Sequence, residues 1–351
     1  MEHISQLKLQ GYKSIKDLKI NFENINIFIG GNGAGKSNLL SFFGLLKNIG
    51  NLELQNTIMK QGGAERILYN GKKVTDQIYF VSEFGHHAFY ARLVPAQGDT
   101  MILGQQGLYD ISERHTLYAA DGFRELKDSG LVKKFHLFDQ IEVYHFHDTS
   151  PSSPMKSSCS ISDNERLLSD GRNIAAVLYR ISKQYPDEYQ QIVDIVNMAA
   201  PYFKDFCLRP NPLQPSIIQL EWYKNGSESV FNADQLSDGT LRFIVIATLL
   251  NMPEEMSKNI VCIDEPELGM HPYAITLLSD MIKKFASRHQ IFIATQSTDF
   301  INEFSASDLI ITEEKDGETS FSRINDVQLE EWLCEYSLGE LWKKNVIGGR
   351  P

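Results

Sequence analysis

Gly30-Gly31-Asn32-Gly33-Ala34-Gly35-Lys36-Ser37 fits the pattern G-x-x-x-x-G-K-[ST], and its flanks decide how it is read. Ahead of it, Ile25-Asn26-Ile27-Phe28-Ile29 is an apolar run of strand length. Behind it, Asn38 to Leu46 carries the leucines and phenylalanines of a buried helix. Strand, glycine-rich turn and helix start, in that order, make a phosphate cradle rather than a chance turn. The glycines let the backbone curl so that its N–H groups face phosphate oxygens, and the helix end adds partial positive charge. Lys36 then reaches the β- and γ-phosphates, and Ser37 holds Mg²⁺. Gly30 to Asn38 is the expected nucleotide-binding segment.

A second segment has the same grammar. Ile260-Val261-Cys262-Ile263 is a short apolar strand ending in Asp264-Glu265. Pro272 stands at a first helical position, with Ile275, Leu278, Ile282 and Phe285 on one face, and Gln290 to Ala294 reads as another strand. Strand–helix–strand at this spacing implies a parallel pair in an α/β sheet. Paired with the phosphate loop, Asp264 is placed to help hold Mg²⁺ and Glu265 to polarise an attacking water. Between the two motifs, Leu236-Ser237-Asp238-Gly239-Thr240-Leu241-Arg242 introduces an apolar stretch. Ser237 is a good N-cap, and Gly239 leaves room for a close backbone approach. On its own this is either an anion site or an ordinary capped core helix.

The expected organisation is one core lobe from residues 1–50 and 230–351, with residues 51–229 inserted as a β-meander and helical lobe. The meander is read from Gln77–Glu83, Ala88–Val94 and Thr100–Leu103, parted by glycine-bearing turns. Helical text follows from 172 to 199, broken at Pro186. The composition, 42% hydrophobic and 23% charged, is that of a globular protein. No apolar run approaches the ~18 residues of a membrane span. The N-terminus lacks the features of a signal peptide, and Cys159, Cys207, Cys262 and Cys334 lie far apart with no C-x-x-C pair. A cytoplasmic chain with reduced thiols and no membrane partner is expected. The net charge of −11 argues against indiscriminate nucleic-acid binding. Lysine pairs such as Lys133-Lys134 and Lys343-Lys344 read as solvated faces. His145 and His147 alternate on one side of a strand. They lack a third ligand at metal spacing and read better as a packed or partner-contacting pair. Trp332, Tyr336, Leu338, Leu341 and Trp342 recur at helical spacing, which suits docking on the core or a partner interface.

The order of motifs is phosphate loop, Leu-Ser-Asp-Gly-Thr-Leu-Arg, Asp-Glu-Pro-Glu-Leu-Gly-Met-His-Pro, then Ala-Thr-Gln-Ser. It resembles the ABC-type ATPase heads of the RecF/SMC/OLD group. Within that group it looks most like stand-alone bacterial ATPases with a Gly-Glu-Leu-Trp and Gly-Gly-Arg-Pro tail, here Gly339–Trp342 and Gly348–Pro351. The resemblance implies a P-loop NTPase fold with a parallel core sheet and an antiparallel β subdomain. It also implies a cofactor, Mg-ATP. Ser237 and Gly239 match the signature loop that contacts the γ-phosphate held by a second subunit, although Asp238 departs from the transporter pattern. Asp264 and Glu265 match the Mg²⁺ aspartate and the catalytic glutamate, and His271 falls at the D-loop position. Gln296 falls at the switch position; a glutamine there positions groups but takes no proton. Lys13 matches a basic position near the nucleotide, and Gln61 is the candidate Q-loop glutamine.

The resemblance therefore implies a homodimer with ATP at its interface, used as a switch in DNA repair or in defence against invading DNA. Relatives are often encoded with a Toprim-type effector nuclease, which makes such a nuclease an expected partner. Rival readings are a RecF-like DNA clamp, a transporter ATPase subunit and a nucleotide-binding scaffold without turnover. Salt-dependent duplex binding, copurification with a permease, and a phosphate-release assay separate them.

Overall fold

The computed structural model describes residues 3–51, 53–112, 115–120, 136–324 and 329–350, so Lys133-Lys134 lies outside the described residues. Strands β1 (Ile4–Tyr12), β2 (Ile15–Asn21) and β3 (Ile25–Ile29) come first, and helix α1 (Lys36–Gly50) follows the glycine-rich turn. Helices α2 (Leu54–Lys60) and α3 (Ala64–Ile67) lead to strands β4 (Ile78–Phe84), β5 (His87–Ala96), β6 (Thr100–Asp110) and β7 (His115–Ala120). The middle holds α4 (His136–Asp139), β8 (Ile141–Tyr144), β9 (Cys159–Ser160), α5 (Ile174–Gln184) and α6 (Pro186–Ala199). Short strands β10 (Phe203–Phe206), β11 (Ile217–Ile218), β12 (Glu221–Lys224) and β13 (Val230–Asn232) precede α7 (Asp238–Asn251). Then come β14 (Ile260–Asp264), α8 (Pro272–Ala286), β15 (Gln290–Thr295), α9 (Thr298–Ile301), β16 (Leu309–Lys315) and β17 (Glu318–Arg323). Two short helices, α10 (Glu330–Leu333) and α11 (Leu338–Lys343), complete the order.

One six-stranded sheet runs β17-β16-β3-β15-β14-β8, parallel except for the β16–β17 hairpin. Its central strands are nearly all apolar because both faces are covered. Successive residues serve opposite layers, as the pleat requires. Ile27, Ile29, Val261, Ile263, Ile291 and Ile293 face a core shared with α5 to α8. Phe28, Cys262, Phe292 and Ala294 face a second core, shared with α1 and the antiparallel sheet β2-β1-β4-β5-β6-β7. Phe292 meets Phe43 with ring centroids 4.4 Å apart and Phe22 at 4.9 Å, so Phe292→Ala would cost about 3–5 kcal/mol.

The helices begin where the sequence says they should. Ser237 caps α7, accepting the Thr240 N–H at 3.2 Å, and Pro272 occupies the first turn of α8 behind an N-capping His271. Helix α7 is buried on every side from Leu241 to Asn251, so its text is an apolar run without an amphipathic face. Pro186 starts α6 directly after α5, where the break was expected.

Strand pairing crosses both expected boundaries of the inserted segment, at residue 50 and at residue 229. The meander β4–β7 extends the sheet begun by β1 and β2, and β8 joins the parallel sheet beside β14, with Ile141 opposite Ile260 and Tyr144 opposite Ile263. Helices α5 and α6 pack into the same core as α7 and α8. Residues 51–229 are thus shared between the sheets and helices of the core instead of forming a lobe apart. Four residues of β8 could not announce their partner, because pairing is a long-range property. In the tail, Leu338, Leu341 and Trp342 are buried while Trp332 is exposed. None of the four cysteines is in a disulfide, and no helix among the described residues is long and apolar enough to cross a membrane.

Candidate functional site

The parallel order of β3, β15 and β14 brings three strand ends side by side, the crevice where α/β sheets place their ligands. From β3 the chain turns through Gly30–Gly35 into α1. Gly35 sits at φ 105°, and a Cβ there would stand 2.3 Å from Thr319 Oγ1, so only glycine fits. Lys36 folds back into the turn and donates to the carbonyls of Gly30 (2.6 Å) and Gly31 (3.0 Å). Burial pushes its pKa down, opposed by the charges of Glu265 and Asp264. Ser37 Oγ donates to Asp264 Oδ2 at 3.0 Å.

Glu265 follows at φ 43°, an uncommon left-handed conformation for a side-chain-bearing residue, and its N–H is held by Ala294 O at 2.7 Å. This turn carries the carboxylate to Gln296, at the end of β15, whose Nε2 donates to Glu265 Oε1 (3.1 Å) and to Asn32 Oδ1 (2.7 Å). Lys36, Ser37, Asp264, Glu265, Gln296 and Asn32 therefore meet in one constellation, although up to 264 residues of sequence separate Asn32 from Gln296.

Other expected residues sit on its rim. Asn38 Nδ2 donates to Ser14 Oγ at 2.7 Å, and Thr319 Oγ1 lies 2.7 Å from the same oxygen and 3.0 Å from Ala34 O. Lys13 Nζ donates to Ser41 Oγ at 2.8 Å, one helical turn beyond Ser37. Tyr12 Oη joins Ser41 (2.9 Å) to Gln61 Oε1 (3.4 Å), so the candidate Q-loop glutamine reaches α1 through this tyrosine. His147 Nε2 stands 4.0 Å from Asp264 Oδ2. Burial lowers the pKa of the neighbouring His145, while the Asp264 charge opposes that shift. Among the described residues, no group of three or more His, Cys, Asp or Glu side chains could hold a metal.

Ser237, Gly239 and His271 are gathered elsewhere. They line a cavity of about 140 Å³ together with Thr240, Gly269 and Met270, and no phosphate-loop residue borders it. Helix α7 is pressed onto the Gly269 turn so closely that a Cβ on Gly239 would stand 2.1 Å from Gly269 O. Ser237 and His271 are exposed at this edge.

Two residues that sequence reasoning passed over link the groups. Arg242, the one charge beyond the first turn of α7, is buried, donating to Phe146 O (3.0 Å), His147 O (3.2 Å) and Leu268 O. Burial lowers its pKa, and the charges of Asp238, Glu267 and Glu265 oppose that shift. Glu267 is also buried, bonded by Thr295 Oγ1, while its second oxygen has no hydrogen-bond partner. Burial pushes its pKa up to about 7, and the charges of Glu265 and Asp264 add to the rise. Thr295 Oγ1 in turn receives the Ser297 N–H at 2.9 Å, so this pair brackets Gln296. A lone arginine in an apolar helix and a third acid behind Asp264-Glu265 were the available signals.

A family model described as "AAA domain, putative AbiEii toxin, Type IV TA system" matches residues 25–302, which span every residue of the central constellation. The chain belongs to this AAA family. Its fold is that of an ABC-type P-loop ATPase head. An Smc head solved with the C-winged helix domain of ScpA is 15% identical, with a TM-score of 0.60 over 93% of this chain and 99% of that one. A second Smc head, with an extended coiled coil and the C-terminal domain of ScpA derived from Pyrococcus furiosus, is 15% identical. Its TM-score is 0.56 over 95% and 99% of the two chains. No curated protein matches the AAA chain.

Proposed function

We propose that the protein binds and hydrolyses Mg-ATP and that each copy supplies half of its partner's active site. The observation that carries this is a division within one chain. The constellation around Lys36 is assembled, while Ser237 and its capped helix end lie at a separate exposed edge. The donor set fits the ligand: a lysine inside a turn of backbone N–H groups suits a triphosphate, and a serine hydroxyl 3.0 Å from a carboxylate suits Mg²⁺. Bound Mg-ATP brings the phosphoanhydride to be cleaved. The chain does the rest.

Lys36 exchanges its loop carbonyls for phosphate oxygens. Ser37 and Asp264 hold the cation, and Gln296 fixes Glu265 so that its free oxygen orients an attacking water. Lys13, Ser14 and Thr319 keep the loop and the start of α1 in register. Ser237, Gly239 and His271 of a second copy complete the terminal-phosphate end, because a serine-capped helix start offers N–H donors to an anion. Binding then glues two copies together and hydrolysis releases them. Employment of this switch in DNA repair or defence against invading DNA, with DNA or an effector nuclease as partner, rests on family resemblance. The family description adds a toxin–antitoxin setting.

The test is the Glu265→Gln variant on a sizing column with light scattering. With Mg-ATP it should run as a dimer and with ADP as a monomer. A monomer under both conditions contradicts the proposal.

A further inference from the structure

Residues 338–350 lead back to the phosphate loop. Trp342, fully buried, donates its indole N–H to Gly349 O at 2.5 Å, and the Gly349 N–H is accepted by Glu313 Oε1 at 2.7 Å. The backbone of Gly349 is pressed onto β16 and the end of β3. A Cβ there would stand 2.7 Å from Ile311 Cγ2 and 3.5 Å from the carbonyl oxygen of Ile29, the residue before the loop. This strap delivers the next residue, Arg350, to one wall of a cavity of about 400 Å³. Gly31 and Asn32 of the phosphate loop line the same cavity, as do Glu313, Glu314 and Lys315.

Two carboxylates and two cations line this cavity, and they differ in how they are engaged. Glu313 is engaged by the strap, and Glu314 Oε1 accepts the Gly317 N–H at 2.6 Å. Neither Lys315 nor Arg350 has an ion-pair partner among the described residues. Asn32 belongs both to this cavity and to the line of bonds through Gln296 to Glu265. The cavity thus adjoins the Asn32 side of the loop, which is bonded through Gln296 to Glu265, and Lys315 and Arg350 are the lining cations without an ion-pair partner among the described residues. A planar guanidinium suits such a place, because it offers paired donors to phosphate oxygens.

We propose that Arg350 is a phosphate-contacting residue of the nucleotide site, carried by the Trp342–Gly349 strap to the terminal phosphoryl group. The inference rests on the ATP reading of the same loop and adds to it a group that tells triphosphate from diphosphate. Trp342 and Gly349 supply the packing, whereas Arg350 is exposed, so its replacement should leave the fold intact.

The experiment is equilibrium titration of the full chain with adenylyl imidodiphosphate and with ADP, alongside thermal melts. Arg350→Ala should weaken the imido analogue by about tenfold, the loss of one charge-assisted contact, while ADP binding and the melting temperature hold. Arg350→Lys should recover part of the loss. Equal affinities in Arg350→Ala and wild type, with Lys36→Ala losing both nucleotides, would overturn the assignment and leave the ATP reading standing. Equal weakening of both nucleotides also overturns it. Wild-type protein that binds neither nucleotide overturns both.

Discussion

The phosphate-loop face and the signature edge obey different rules, although Arg242 and the Asp264–Gly269 turn join them. At the first, nearly every polar group has a partner inside the chain: lysine to carbonyls, serine to aspartate, glutamine to glutamate and asparagine. At the second, Ser237 satisfies its own helix start, and it and His271 stand exposed beside a small cavity. A satisfied face can hold a ligand by exchanging partners one for one. A bare capped helix end can only offer itself to something outside. The contrast is what the proposed two-copy site requires of each chain.

The largest expected effect breaks the first region alone. Lys36→Ala should reduce ATP hydrolysis, followed by phosphate release, by about 100-fold or more, since it removes a positioned charge from the phosphates. It should leave the melting temperature of the nucleotide-free protein near wild type. The next effect cuts the link between the regions. Arg242→Ala leaves three carbonyls of buried segments without their donor and should cost about 3–5 kcal/mol in urea unfolding. It should also loosen the Gly269 turn against α7, making that edge more open to hydrogen exchange.

A smaller effect sharpens the comparison through pH. Glu267 has a folded pKa of about 7 against an ordinary 4.5, so the folded form favours the protonated carboxyl. The stability that protonation supports is fully present below about pH 4.5 and is lost as pH rises through about 7. Glu267→Gln, which stays neutral, should therefore be more stable than wild type at pH 8, by at most about 3 kcal/mol. The advantage should shrink towards pH 5. Thermal melts across this range decide it.

What could be read from the chain in advance follows the range of the interactions. The phosphate loop was legible because strand, turn and helix are contiguous, and Asp264-Glu265 because a strand-end acid pair complements that loop. The bond from Thr319 to Ala34 of the loop is not legible, since it closes over 285 residues and Thr319 carries no motif. Glu267 and Arg242 owe their importance to burial, which single residues do not advertise. Strand β8 went unassigned because four residues fit several partners equally well, and only the sheet decides between them.

The shared site has a direct test in mixing two crippled proteins. Lys36→Ala keeps Ser237 but cannot hold the triphosphate, whereas Ser237→Arg keeps the loop but spoils the edge it lends. Each should be nearly silent alone. Mixed in equal amounts they should recover about a quarter of the wild-type rate, because half the dimers are mixed and each mixed dimer has one whole site. A silent mixture, or full activity from Ser237→Arg by itself, would contradict a site built from two copies.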